Sequence, residues 1–170
     1  MRCTICLVLV TVLGTSMDTT MTIASGDAPR GADLKRSIGK PVTFKLAKPD
    51  KPLIILETIV NEAGPFRFVL DTGASGTIIS PELAKKLGIQ PNKDEPRKGA
   101  GAGGVVEVRG AMVKSFGVGE TKLENLTVGI MDLAGLRKAI ETEIDGIIGY
   151  NFLVKFRVTI DYPKQTVTFE

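Results

Sequence analysis

From residue 41 onward, hydrophobic and polar positions alternate with a period of two over much of the chain. Val42, Phe44 and Leu46 alternate with Thr43 and Lys45, Leu53 to Val60 is a β-rich run, and Phe66, Phe68 and Leu70 alternate again after the turn-forming stretch Asn61-Glu62-Ala63-Gly64-Pro65. A period of two marks strands with one buried face. Thr77-Ile78-Ile79, Val105 to Val108, Ala111 to Val118 and Leu123 to Met131 predict further strands. Phe156, Val158, Ile160 and Tyr162 alternate with Arg157, Thr159 and Asp161 before a turn at Pro163-Lys164 and a last strand through Val167 and Phe169. Helical spacing is confined to short stretches. Ser80 suits an N-cap, Pro81 the first helical position and Glu82 the dipole, and Gly88 closes a helix through Leu83, Ala84 and Leu87. Leu133, Leu136 and Ile140 predict a second helix. Short strands, glycine-rich turns and one or two short helices describe a mainly β domain, residues 41–170, built as a small closed β-barrel-like fold.

The start of the chain reads differently. Met1-Arg2 followed by the apolar residues 5–14 has the form of a secretory signal, with small residues at Ala24 and Gly26 offering a cleavage point. Residues 1–26 are therefore expected to be a signal peptide and the polar, glycine-containing residues 27–40 a flexible tether, which makes the protein exported, periplasmic or secreted. An uncleaved leader would instead anchor it to a membrane through residues 5–14. Both cysteines, Cys3 and Cys6, fall inside the leader, so the domain must hold together by packing without disulfides.

At 170 residues and 43% hydrophobic content, the chain has room for one globular domain beyond the leader. The net charge of +3 comes without a basic block, and the charged stretch Asn92 to Lys98 mixes both signs around Pro96, which argues against nucleic-acid binding. The chain contains no histidine, which removes Ser-His-Asp, Cys-His and histidine-ligated zinc chemistry. Carboxylates are left as the candidate reacting groups.

Among them, Asp71 stands out because Phe66 to Leu70 and Thr77 to Ile79 place the turn Asp71-Thr72-Gly73 between two short apolar strands. A lone carboxylate there is a weak base, whereas two held together share one proton and serve as acid and base. The chain has a single such turn and no room for a second lobe, so a second copy is expected to supply the partner Asp71. The hydrophobic strand into Asp71-Thr72-Gly73-Ala74, with Ile147-Ile148-Gly149 much later, resembles the retropepsin-like aspartic proteases, most closely the small single-domain proteases of bacterial type, over roughly residues 41–170.

That resemblance implies an acid-protease fold with one lobe per chain, and an aspartic endopeptidase in which a water is activated between two Asp71 carboxylates of a homodimer, with no metal or cofactor. It implies that the Thr72 hydroxyl bonds the opposing subunit's backbone, that Gly73 leaves space for the two loops to approach, and that Ala74, Ser75, Ile147, Ile148 and Gly149 support the catalytic loop, with Tyr150 to Leu153 starting a short helix. Ala74 lacks a hydroxyl that acid-acting relatives carry, which predicts an activity optimum nearer neutrality. The partners implied are a second copy of the chain and a peptide or protein substrate; a non-proteolytic peptide-binding or assembly module of the same fold is the alternative.

Gly99-Ala100-Gly101-Ala102-Gly103-Gly104 matches Gly-x-Gly-x-x-Gly, but it follows a charged loop and opens the β-rich Val105 to Val108 rather than a helix. A flap over the active site, able to bind an extended peptide, fits these residues better than a dinucleotide site. Asp145 lacks a following Thr-Gly or Ser-Gly and is assigned to turn or hydrogen-bonding duty.

Overall fold

The computed structural model describes residues 39–48, 50–101 and 104–170. The expected signal segment 1–26, most of the 27–40 tether, and Ala102 and Gly103 of the expected flap lie outside the described residues. Gly39 and Lys40, the end of the expected tether, already touch the domain. Lys40 Nζ pairs with Glu120 at 2.6 Å, and Gly39 lies so near the Phe169 carbonyl that a side chain there would meet it.

In chain order the elements are β1 (Val42–Thr43), β2 (Lys45–Lys48), β3 (Lys51–Val60), β4 (Ala63–Leu70), β5 (Ile78–Ile79), α1 (Pro81–Lys86), β6 (Arg97–Gly101), β7 (Gly104–Val118), β8 (Thr121–Ile130), α2 (Ala134–Ile140), β9 (Gly146–Ile148), α3 (Tyr150–Leu153), β10 (Val158–Asp161) and β11 (Thr166–Phe169). The larger sheet runs β2-β3-β4-β9-β5-β8-β7-β6, and a further pairing of β3 with β7 closes β3, β4, β9, β5, β8 and β7 into a ring. Closure pairs the six ring strands on both sides and leaves β2 and β6 as outer strands. Among the described residues, no helix is long and apolar enough to cross a membrane.

The seam where β3 meets β7 depends on a two-residue turn. Asn61 and Glu62 both take positive φ, 50° and 63°, which suits the twist of a tight hairpin. Asn61 Oδ1 accepts from the backbone N–H of Lys114 at 2.7 Å and of Ser115 at 3.2 Å. Glu62 accepts from the Ser115 hydroxyl at 3.0 Å and from Lys122 at 2.7 Å, and the Lys122 and Ser115 bonds hold its carboxyl below the ordinary glutamate range.

Two apolar clusters result. The main one fills the barrel and includes a chain of ring contacts from Phe68 to Phe116 to Phe152, each at 5.2 Å between centroids, continuing to Phe169 at 5.9 Å. Phe152 thus joins the ring to the smaller sheet, ordered β1-β11-β10. The second cluster, on the outer face, gathers Ile55, Val69, Leu133, Ile140, Ile144 and Ile147, with α2 contributing to its cover. Arg137 pins α2 in place, donating from Nε to the Ile144 carbonyl at 2.9 Å and pairing with Glu82 of α1 at 3.3 Å.

Local expectations hold at α1, where Ser80 Oγ accepts from the Leu83 N–H at 3.1 Å, Pro81 opens the helix and Gly88 follows it at φ 64°. They fail in two places. The alternating Val42 to Leu46 is two strands, because β1 pairs with β11 and β2 with β3 while Phe44 between them turns into the core. Val105 to Val108 and Ala111 to Val118 are one strand, because β8 pairs straight past the interruption, setting Gly110 opposite Gly129.

Candidate active site

β4 delivers Asp71 at its C-terminal end, and the chain returns through β5. The two strands do not pair with each other; β9 lies between them, parallel to β4 (Leu70 opposite Ile148) and antiparallel to β5 (Ile78 opposite Ile147). The Asp71 N–H donates to the Ile148 carbonyl at 3.0 Å, and the Tyr150 N–H to the Ala74 carbonyl at 2.8 Å. Ile147, Ile148 and Gly149 therefore brace the Asp71 loop from within the sheet, and Gly149 passes so close that a Cβ there would collide with the Gly76 backbone.

A lock that the sequence did not disclose completes the loop. Thr77 is fully buried, and its N–H and hydroxyl both donate to Asn151 Oδ1, at 2.7 and 2.9 Å. The Asn151 amide in turn donates to the Thr127 carbonyl of β8 at 2.7 Å, and the Thr77 carbonyl accepts from the Gly129 N–H at 2.9 Å. Thr77 and Asn151 are 74 residues apart in sequence. The only local signals are a polar Thr ahead of Ile78-Ile79 and a polar Asn ahead of Phe152-Leu153. Asn151→Ala strands two buried donors of Thr77, at a cost of about 2–3 kcal/mol, and is expected to lower the denaturant midpoint with an unchanged slope.

The carboxylate itself is exposed. One oxygen accepts from the Gly73 N–H at 2.8 Å, and Asp71 makes no ion pair among the described residues. A Cβ on Gly73 would come within 3.2 Å of that oxygen. Thr72 and Ser75 are both exposed, and neither side chain has a hydrogen-bond partner among the described residues. Asp145 lies elsewhere: its carboxylate accepts from the Arg67 N–H at 2.8 Å while its own N–H donates to the Arg67 carbonyl at 2.7 Å. Asp71 is four residues further along, roughly 13 Å at ~3.3 Å per residue, so Asp145 is not the second carboxylate of this site.

Gly99, Ala100, Gly101 and Gly104 form the end of a hairpin in which Gly99 opposes Val106 and Gly101 opposes Gly104. The strand that follows the glycines rules out a phosphate-cradling helix start there. β6 is the outermost strand of its sheet, and Val105 beside the turn is 76% exposed. At the hairpin's base Val108 approaches Ile78, the residue after Thr77, because Gly129 between them has no side chain; a Cβ there would come within 2.6 Å of Val108 and 2.7 Å of Ile78.

A family model described as aspartyl protease matches residues 56–152, more than half of the chain. Among solved structures, the chain is similar to a retropepsin-like aspartic protease from Rickettsia conorii, with 18% identity, a TM-score of 0.50, and coverage of 76% of this chain and 86% of that one. The retroviral protease-like domain of Ddi1 from Leishmania major gives 16% identity, a TM-score of 0.48, and coverage of 69% and 88%. No curated protein matches. At such identities the likeness is one of fold.

Proposed function

The chain belongs to the aspartyl protease family, and on that premise we propose that it is an endopeptidase whose active site forms only when two copies bring their Asp71 carboxylates together. The observation that carries this reading is the state of Asp71: an exposed carboxylate on a loop braced by β4, β9 and the Thr77–Asn151 lock, with no second carboxylate of its own chain on that loop. Rigid support beneath an open, unpaired acid is what a shared-proton pair requires, since small displacements weaken such a site sharply.

In the reaction, one Asp71 carboxylate takes a proton from a water held between the two. The other, protonated, gives its proton to the carbonyl oxygen of the scissile peptide bond as the water attacks the carbon. The Thr72 hydroxyl, without a partner in its own chain among the described residues, bonds the backbone of the opposing loop. The hairpin of Gly99 to Gly104 covers an extended peptide, with Val105 toward the bound chain. Residues 1–26 direct export.

Activity should fall more steeply than linearly on dilution, because a monomer holds half a site. Adding excess Asp71→Asn chains to the parent should also depress activity, since mixed pairs cannot divide the acid and base roles. Hydrolysis of a peptide library measured alongside sedimentation checks both. Constant activity per chain through a range where only monomer sediments would end the two-chain reading.

A further inference from the structure

The described terminal segment β11 is not an available strand. Its residues 166 and 168 turn their backbone groups toward β10, while on the other side Val167 faces Val42 of β1 and the Gln165 carbonyl just before the strand accepts from the Phe44 N–H, so both edges are occupied within the chain. β10 has a partner on one side only. The reciprocal bonds between Arg157 and Glu170, at 2.8 and 3.0 Å, set the alternation: Arg157, Thr159 and Asp161 turn their backbone groups toward β11. The N–H and C=O groups of Val158 and Ile160 therefore point outward, and among the described residues nothing pairs with them.

We propose that β10 is the strand through which two copies of this chain join, antiparallel across a two-fold axis at Thr159; the proposal rests on the two-chain reading above and names the surface it needs. In that register Val158 of one copy faces Ile160 of the other, and every outward N–H and C=O of both residues is satisfied. Arg157 then faces Asp161 of the other copy, twice by symmetry. Shifting the axis to Val158 or Ile160 sets a charged side chain against Thr159 instead, so only the Thr159 register matches the charges. The segment Arg157-Val158-Thr159-Ile160-Asp161 is thus self-complementary, as an isologous interface demands.

The side chains agree with this placement. Val158 and Ile160 are half-buried against the main core, leaving Arg157 and Thr159 exposed on the opposite face and Asp161 partly so. Arg157 is only loosely engaged at home, 3.5 Å from Glu170. Asp161 is held below its ordinary value by the Lys164 backbone N–H first and the Lys164 ammonium second, so it is ionised at neutral pH.

Across such an axis Thr159 meets itself in a non-hydrogen-bonded pair, with Cα atoms about 4.5 Å apart and within disulfide range. In the full chain with Cys3 and Cys6 changed to Ser, Thr159→Cys should give a covalent dimer under mild oxidation, and Thr43→Cys on β1 should not. Asp161→Arg and Arg157→Asp should each weaken self-association at least about tenfold by setting like charges opposite. An equimolar mixture of the two should associate as the parent does, because each then faces its opposite; a variant that merely misfolded would not be rescued. A parent that sediments as a dimer but yields no Thr159→Cys cross-link, or cross-links through Thr43→Cys, overturns the β10 interface and leaves the two-chain site standing. A parent that hydrolyses peptide as a monomer overturns both.

Discussion

Asp71→Asn is expected to reduce peptide hydrolysis by at least about 10³-fold while leaving folding and self-association unchanged. Asparagine keeps the size of the side chain, and its carbonyl oxygen can still accept the Gly73 N–H that now bonds Asp71 at 2.8 Å. It cannot hold or release a proton in the working range, so the pair loses its shared proton. Because Asp71 is exposed and makes no ion pair among the described residues, its charge contributes little to packing. The measurement is kcat on a peptide selected from a library, with thermal unfolding and sedimentation of the same preparation. A variant that keeps parental kcat would remove Asp71 from the chemistry, and a parent that binds peptide without cutting it would make the protein a peptide-binding module.

The second large effect is expected from Gly149→Ala, with Gly76→Ala as its counterpart. Gly149 has φ −106°, which any residue can adopt, so space alone decides the outcome. Its added Cβ would strike the Gly76 carbonyl group and come within 2.9 Å of the Thr77 nitrogen, all backbone of the Asp71 loop and unable to rotate away. Gly76, on the other side of the same contact, has nothing within 4 Å of its own Cβ direction. Gly149→Ala should therefore cost about 3 kcal/mol of stability and, where the protein is still folded, about 10²-fold in kcat through displacement of Asp71. Gly76→Ala should leave both near parental values. Urea titration and kinetics on the two variants check this, and equal behaviour of the pair would mean that Gly149 does not brace the loop.

Much of the fold was legible in the sequence because strand faces and helix caps are local. Period-two alternation located β4 and β10, β-rich runs located β3 and β8, and Ser80, Pro81 and Gly88 bounded α1. Asp71-Thr72-Gly73 was legible for the same reason: a turn residue between two apolar strands needs no distant information. Where neighbours in space decide, local pattern misled. Phe44 interrupts what reads as one strand, because its two sides pair with different sheets. Gly110 looks like a break yet is carried through by β8.

The sequence by itself determined a mainly β domain and the place of the Asp71-Thr72-Gly73 turn between two flanking strands. That turn occurs once in the sequence. Tertiary structure alone decided that β9 enters between those strands, that Asn151 ties Thr77 to β8, and that β11 is enclosed while β10 has an open edge. The reason is physical: alternation records which face of a strand is buried, but hydrogen bonds between strands are made by backbone groups common to nearly every residue. Which strand lies beside which is therefore settled by chain closure and packing around Phe68, Phe116 and Phe152, not by the side chains of any one segment.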